Sequence, residues 1–219
     1  MCFSPTASFT ASAVLFITSG YALNKTRQSG EKTFLPIAFT PFLFAIQQFI
    51  EGLIWLCLQD QMTIQSGTLE ALSLVYLFFA YSFWPLWVPT AIAIFDQRRR
   101  ILHLCISIIG FFFMVTTIVH FSLHPEHLDT KIMNHSICYL QTCSFKFNWP
   151  VLLYIAITCG SMIAASWIHI NILGLITLIA AVLTFLIYNH TFASVWCFFS
   201  AIISMYIAFM AYKLEKKSE

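Results

Sequence analysis

Long apolar runs separated by short polar segments dominate the sequence. A helix needs ~20 apolar residues to cross the ~30 Å hydrocarbon core of a bilayer. Segments such as 101–121 are apolar on every side, which excludes the alternating strands of a membrane barrel. The pattern therefore predicts an all-α membrane protein, in which residues 1–219 form a single transmembrane helical domain with an outer loop at 124–149. The predicted bundle has about seven transmembrane helices, at roughly 4–23, 34–58, 69–95, 101–123, 150–168, 171–189 and 191–212.

Composition agrees with this pattern. Hydrophobic residues make up 59% of the chain and charged residues 9%, against ~25% charged in soluble domains. So few charges cannot cover the surface of a water-soluble fold of this size. The expected partner is the lipid bilayer. Nucleic acid is not expected, because the basic run Arg98-Arg99-Arg100 is typical of a topology anchor.

The basic residues predict the orientation. With seven spans and the N-terminus outside, nine of the eleven Lys and Arg residues fall in inner segments, as the positive-inside rule expects. Lys25 and Arg27 follow the first apolar run instead of preceding it, so that run is not a cleavable signal peptide. The C-terminus is then inside. The inner basic residues are Lys25, Arg27, Lys32, Arg98, Arg99, Arg100, Lys213, Lys216 and Lys217, and the outer ones are Lys131 and Lys146.

Prolines within two of the runs predict distortions of the helices. Pro36 and Pro41 lie in the second run, and Pro85 and Pro89 lie in the third. Proline has no backbone donor and disrupts the helical hydrogen bonds, so kinks are expected at these positions.

One carboxylate lies at membrane depth. Glu51 is about two turns from the end of the second run, and Gln47 and Gln48 share a ~100° arc of the helix with it. A charge at this depth is costly unless it is paired, hydrated or protonated, so Glu51 is expected to face the bundle interior or a wet cavity. Two interpretations remain open: Glu51 handles a ligand, proton or ion, or it is a neutral carboxyl that hydrogen-bonds a neighbouring helix.

Small polar residues form stripes on two other helices. The stripes are also what close helix packing in membranes requires. All of these groups lie mainly in the outer half, so we predict a polar pocket near the outer face. Within a ~120° sector, the last run carries His190, Ser194, Cys197, Ser200 and Ser204, and the first run carries Ser4, Ser8 and Ser12. The predicted ligand-binding residues are Glu51, Gln48, Ser194, Cys197, His135, Ser4 and Cys2.

The outer loop and the N-terminus contain further candidate chemistry. Spacing makes His124, His127 and His135 weak candidates for metal ligands, and no metal site is predicted from them. Cys138 and Cys143 would form either a disulfide or a pair of free thiols. If Met1 were removed, Cys2 would combine a thiol and an amine, a pair capable of nucleophilic chemistry.

Several ordered motifs resemble an uncharacterised family of bacterial multi-spanning membrane proteins whose members begin Met-Cys-Phe-Ser. They are residues 1–4 with Ala7-Ser8, segment 47–55, the Phe83-Trp84-Pro85 turn and segment 192–199, and residues 135–137 with Tyr139 also fit. The resemblance implies the bacterial inner membrane, a periplasmic outer side and no particular activity. It singles out Cys2, Ser4, Glu51, His135, Ser194, Trp196 and Cys197.

Three functions are consistent with these residues. The first is binding or movement of a small ligand, ion or proton through the polar pocket near the outer face. The second is a membrane-embedded enzyme that acts on a lipid or quinone-like substrate with a thiol and Glu51. The third is a non-catalytic structural or assembly protein. The sequence indicates no cofactor, and whether the chain is an enzyme stays open.

Overall fold

The computed structural model describes residues 4–59, 67–124, 128–133, 135–140 and 149–218. Two strands, β1 (Leu128–Met133) and β2 (Ser136–Leu140), form an antiparallel hairpin between the fifth and sixth helices. The helices are α1 (Pro5–Gln28), α2 (Leu35–Leu58), α3 (Thr68–Leu77), α4 (Trp84–Phe95), α5 (Arg100–Leu123), α6 (Trp149–Ile163), α7 (Ile168–Ile187), α8 (Phe192–Ser204) and α9 (Tyr206–Ser218).

The helices combine into membrane-length stretches. Helices α3 and α4 are joined by a π-helical segment, and α8 and α9 meet at Met205. α6 is apolar but shorter, at 15 residues. The predicted bundle of about seven spans therefore agrees with six to seven helices of suitable length and polarity. The six longer stretches among the described residues are Pro5–Gln28, Lys32–Leu58, Thr68–Phe95, Gln97–Leu123, Ile168–Ile187 and Asn189–Lys216.

Helix α5 shows the expected lipid-facing surface. Its residues Ile101 and Phe112 are 79% and 63% exposed. Its buried residues are His103, Ser107 and Gly110, so the polar and small side chains of this helix face the bundle. This is the reverse of a soluble helix, and it is what an apolar solvent favours.

The serine stripe on α1 packs against α2. Ser12 donates to the Ala45 carbonyl at 2.8 Å, and Ser19 donates to the Ala38 carbonyl at 3.4 Å. Two antiparallel helices are thereby joined through side-chain hydroxyls and backbone carbonyls. Part of the predicted stripe thus serves helix packing.

The connection between α6 and α7 lies at 164–167, earlier than the predicted 169–170. The side-chain amide of Asn171 donates to the carbonyls of Met162 (3.1 Å), Ile163 (2.9 Å) and Ala165 (2.8 Å). The last carbonyls of a helix have no partner within it and need one elsewhere. A side chain from the next helix supplies it here, and hydropathy alone does not show this.

The proline-rich third span departs from α-helical geometry where a distortion is expected. Residues Phe78–Phe83 form π-helical turns directly before Pro85. Because Pro85 has no N–H, the carbonyl one turn earlier loses its usual partner. The backbone of α5 comes close at this level, since a Cβ on Gly110 would lie 2.0 Å from the Pro85 carbonyl oxygen.

The predicted outer loop contains the β-hairpin. His135 occupies its turn with a φ of 58°. Ile137 and Tyr139 are buried, and they belong to a hydrophobic cluster with Ile54, Trp55 and Tyr76. The hairpin therefore covers one end of the bundle, which we call the hairpin end. The opposite end carries Arg98–Arg100.

Candidate functional site

Glu51 lies at the centre of a buried hydrogen-bond network at the hairpin end. Its side chain has no exposed surface. Oε1 accepts from the Ser194 hydroxyl at 2.5 Å and from the Tyr139 hydroxyl at 3.4 Å, and Oε2 accepts from Gln48 Nε2 at 3.2 Å. The Tyr76 side chain also faces the carboxylate, and its ring stacks on Tyr139 with centroids 4.5 Å apart.

Four separate elements build this network. Glu51 and Gln48 come from α2, Ser194 from α8, Tyr76 from α3 and Tyr139 from β2. Segment 47–51 places its polar residues one helical turn apart, so they face the bundle together. Ser194 lies within the first turn of α8, where that helix meets the hairpin end.

Gln47 extends the polar network toward the bundle centre. It is fully buried, and its Oε1 accepts from the Trp84 indole N–H at 3.1 Å. The Gln47 side chain also faces Cys197. Among the described residues, Gln48 Oε1 and Trp55 Nε1 have no hydrogen-bond partner. A buried polar atom without a partner costs about 1–3 kcal/mol, so α2 leaves hydrogen-bonding capacity unused near the carboxylate.

No cationic side chain pairs with Glu51 among the described residues, whose ion pairs lie elsewhere. The hydroxyls of Ser194 and Tyr139 can each donate or accept, and the Gln48 amide presents either group after a half-turn. The network therefore suits both an ionised Glu51 that accepts bonds and a protonated Glu51 that donates one. The same set of neighbours can therefore satisfy both protonation states of the carboxyl group.

A cavity of about 70 Å³ lies between the helices, next to this network. Trp84 and Cys197 line it, and Trp84 also binds Gln47. The predicted stripe on the last span supplies one wall through Cys197, Ser200 and Ser204. The stripe thus connects the two features: Ser194 bonds Glu51, and the residues one to three turns along α8 face the cavity.

The other predicted site residues lie elsewhere. Ser4 is the N-cap of α1, where its hydroxyl accepts from the Ala7 N–H at 3.2 Å. His135 is exposed on the hairpin turn, while its neighbours Ser136–Tyr139 are buried. Cys2 lies outside the described residues. The structure therefore brings Glu51, Gln48, Ser194 and Cys197 together and does not add His135 or Ser4 to them.

The structure describes some of the candidate cysteines and histidines of the outer loop. Cys138 is disulfide-bonded, but Cys143, its predicted partner, lies outside the described residues. His124 follows α5 and its ring lies 5.1 Å from that of His120, whereas His127 is again outside the described residues. Among the residues with described positions, no three His, Cys, Asp or Glu side chains form a candidate metal site.

A second buried polar cluster, which no sequence pattern predicted, lies at the opposite end. Asp96 accepts from the backbone N–H of Ser166 at 2.7 Å and also from the Ser166 hydroxyl. His103 Nε2 lies 3.6 Å from Asp96 Oδ2, and the Arg99 side chain donates to the Ala164 carbonyl at 2.7 Å. The α4–α5 connection and the α6–α7 connection are thus joined by hydrogen bonds. In the sequence, Asp96 stands two residues before the arginine run and seven residues before His103. This spacing is the pattern that could have indicated the cluster.

No sequence pattern predicted that the Glu51 network includes Tyr76, Tyr139 and Trp84. All three are aromatic residues in an aromatic-rich chain, so their polar atoms did not distinguish them from lipid-facing neighbours. The pattern that could have found Tyr139 is the β-branched and aromatic segment Ser136–Leu140 after a two-residue turn, which is typical of a hairpin strand.

Comparison with known proteins gives one finding. The family described as "Family of unknown function (DUF6629)" matches residues 1–218, nearly the whole chain. No curated protein and no solved structure shows significant similarity to it.

Proposed function

Since the chain belongs to the family of unknown function DUF6629, we propose its function from the site itself: it binds a small ligand, a cation or a proton at Glu51. The observation that carries this proposal is the environment of the carboxylate. Glu51 is fully buried, accepts bonds from α8, from β2 and from Gln48 on its own helix, and has no cationic partner among the described residues. A structural carboxyl needs only one neighbouring helix to satisfy it.

We further propose that the hairpin end faces the outside of a bacterial inner membrane. The support is the asymmetry of basic residues, nine of which lie in segments that would then be inner. In this orientation the Glu51 network lies toward the periplasm, with Gln48, Ser194 and Cys197 around the carboxylate. The hairpin would form its lid.

The proposal is tested by comparing wild-type protein with Glu51→Gln, which keeps the size of the side chain and removes its charge and its titratable proton. Native mass spectrometry of gently released protein should show a bound species on wild type that the variant lacks. Infrared spectroscopy tests the proton: a carboxyl band that changes with pH in wild type should be absent from Glu51→Gln.

Glu70→Gln is the matched control, since Glu70 is exposed in the first turn of α3. It should behave as wild type in both measurements. If wild type and Glu51→Gln carry the same bound species, or none, and show the same infrared titration, Glu51 is a structural carboxyl and the proposal is wrong.

A further inference from the structure

The cavity beside the Glu51 network is apolar in character although several hydroxyls line it. Thr158 donates to the Tyr154 carbonyl at 2.8 Å, Thr177 donates to the Leu173 carbonyl at 2.8 Å, and Ser204 donates to the Ala201 carbonyl at 2.6 Å. Each hydroxyl is therefore satisfied within its own helix. What the wall offers to an occupant is mainly aromatic and aliphatic surface, including Phe44, Trp84, Tyr154, Trp196, Met162 and Ile207.

The size of the cavity limits what it admits. At about 70 Å³ it is roughly half of the ~150 Å³ engineered cavity that binds benzene. A water molecule needs two to four polar partners to be stable in a buried site, and this wall provides few. A short apolar chain fits such a space better than water or an aromatic ring does.

The polar network and the cavity adjoin each other at Cys197 and Trp84. Ser194, bonded to Glu51, and Cys197, in the cavity wall, are three residues apart on α8, a rise of ~4.5 Å. Trp84 bridges them from the other side, with its N–H on Gln47 and its ring against the cavity. A molecule only a few carbons long would span the distance.

The head group of such a ligand follows from the groups that would meet it. Glu51 is an acidic acceptor without a cationic partner among the described residues, and Gln48 Oε1 is a second, unpartnered acceptor. Both suit a group that donates several hydrogen bonds and carries positive charge. A primary ammonium has three donors and no acceptor.

We propose that the ligand class of this site is a short-chain alkylammonium compound, with its ammonium group at Glu51 and its alkyl chain in the cavity. The inference rests on the proposed function of Glu51 and adds the chain to it. Charge and chain are recognised by different residues, so each can be removed separately.

The test measures binding of methylammonium, n-butylammonium and 1-butanol to the protein in lipid nanodiscs at pH 7. Each buried methylene should tighten binding about fourfold, so n-butylammonium should bind tens of times more tightly than methylammonium. Glu51→Gln should weaken both amines at least tenfold. Val88→Phe fills the cavity that Val88 lines, so it should remove the advantage of the longer chain while methylammonium still binds.

Val182→Phe is the matched control, because Val182 is 51% exposed on the outer surface of α7; it should leave all three affinities unchanged. If Val88→Phe unfolds, Val88→Ile should reduce the chain-length effect in part.

Equal affinity of wild type for the two amines overturns the cavity assignment and leaves a Glu51 cation site. Equal affinity for 1-butanol and n-butylammonium overturns the charge assignment. No binding of n-butylammonium at millimolar concentration overturns the inference as a whole, while the mass and infrared measurements on Glu51 decide the proposed function independently.

Discussion

At the level of single residues, two buried carboxylates have contrasting neighbours. Asp96 has His103 at 3.6 Å, the Arg99 backbone N–H at 3.3 Å and two donors from Ser166. Among the described residues, the donors to Glu51 are neutral. A carboxylate beside basic groups stays ionised and holds loops together, whereas one among hydroxyls and amides can change its protonation state. This contrast gives Asp96 the role of joining loops, and it is consistent with the function proposed for Glu51.

The stability role of Asp96 predicts a pH dependence. Burial raises the pKa of Asp96. Hydrogen bonds from Ser166 and Arg99 and the proximity of His103 lower it by more than burial raises it, so the pKa lies below its ordinary value of 3.8. A lowered folded-state pKa gives stability that is present above the unfolded-state pKa and lost as pH falls through the folded-state pKa. Thermal unfolding of wild type should therefore shift to lower temperature below about pH 4, and Asp96→Asn should show less of this shift and a lower Tm at pH 7.

Asp129→Asn serves as the control, because Asp129 is exposed on β1 and pairs only with its neighbour Lys131 among the described residues. It should retain the acid-induced shift. An Asp96→Asn variant with the same pH profile as wild type would show that the loop cluster does not depend on the ionised carboxylate.

At the level of elements, the third span packs closely against Gly110 of α5 just after its π-helical segment. The irregular turns Phe78–Phe83 lead into Pro85, whose carbonyl lies where a Cβ on Gly110 would be. Above and below this contact, the interface is joined by side-chain hydroxyls: Thr90 donates to Ser107 at 3.2 Å, and Ser82 and Thr117 lie 2.8 Å apart. Small residues and hydroxyl pairs are the usual means of close helix association in lipid.

This close approach predicts a large difference between two similar substitutions. Gly110→Ala would place a methyl group 2.0 Å from the Pro85 carbonyl oxygen, so the helices must separate, at a cost of ~1–3 kcal/mol. Gly160→Ala, in α6, meets nothing within 4 Å and should leave stability unchanged or raise it slightly. Thermal or denaturant unfolding in the same detergent checks both, and equal stability of the two variants would mean that the α4–α5 contact is loose.

At the level of the whole molecule, the arrangement of the ends predicts the topology. Asp129 on the hairpin and Gln97 beside the arginine run are both exposed and lie at opposite ends of the bundle. Asp129→Cys should react with a membrane-impermeant maleimide in intact cells, because the hairpin end is proposed to be outside. Gln97→Cys should react only after the membrane is opened. The opposite pattern of labelling would invert the proposed orientation.

The apolar runs predicted the positions of the helices better than the sequence predicted which side chains meet. Transfer of apolar side chains into lipid is a local property, so the runs found helices α1 to α5 with small boundary shifts. The burial of Glu51 with Gln47 and Gln48 followed from helical periodicity. The hairpin and the Asp96 cluster did not, because their stability comes from contacts between loops, and no local pattern shows which loops meet. Tyr139 and Ser194 bond Glu51 from 88 and 143 residues away.

These separations also matter while the protein is being made. At ~5–20 residues per second, a ribosome needs about 7 to 30 s to pass from Glu51 to Ser194. During that interval the hydroxyl of Ser194 does not yet exist, and that of Tyr139 is added only after more than half of the interval has passed. The newborn helix must therefore enter the bilayer with its acidic side chain neutralised or sheltered, and the pocket becomes complete only when the last span arrives. The proposed site can therefore assemble only after α8 has joined the bundle.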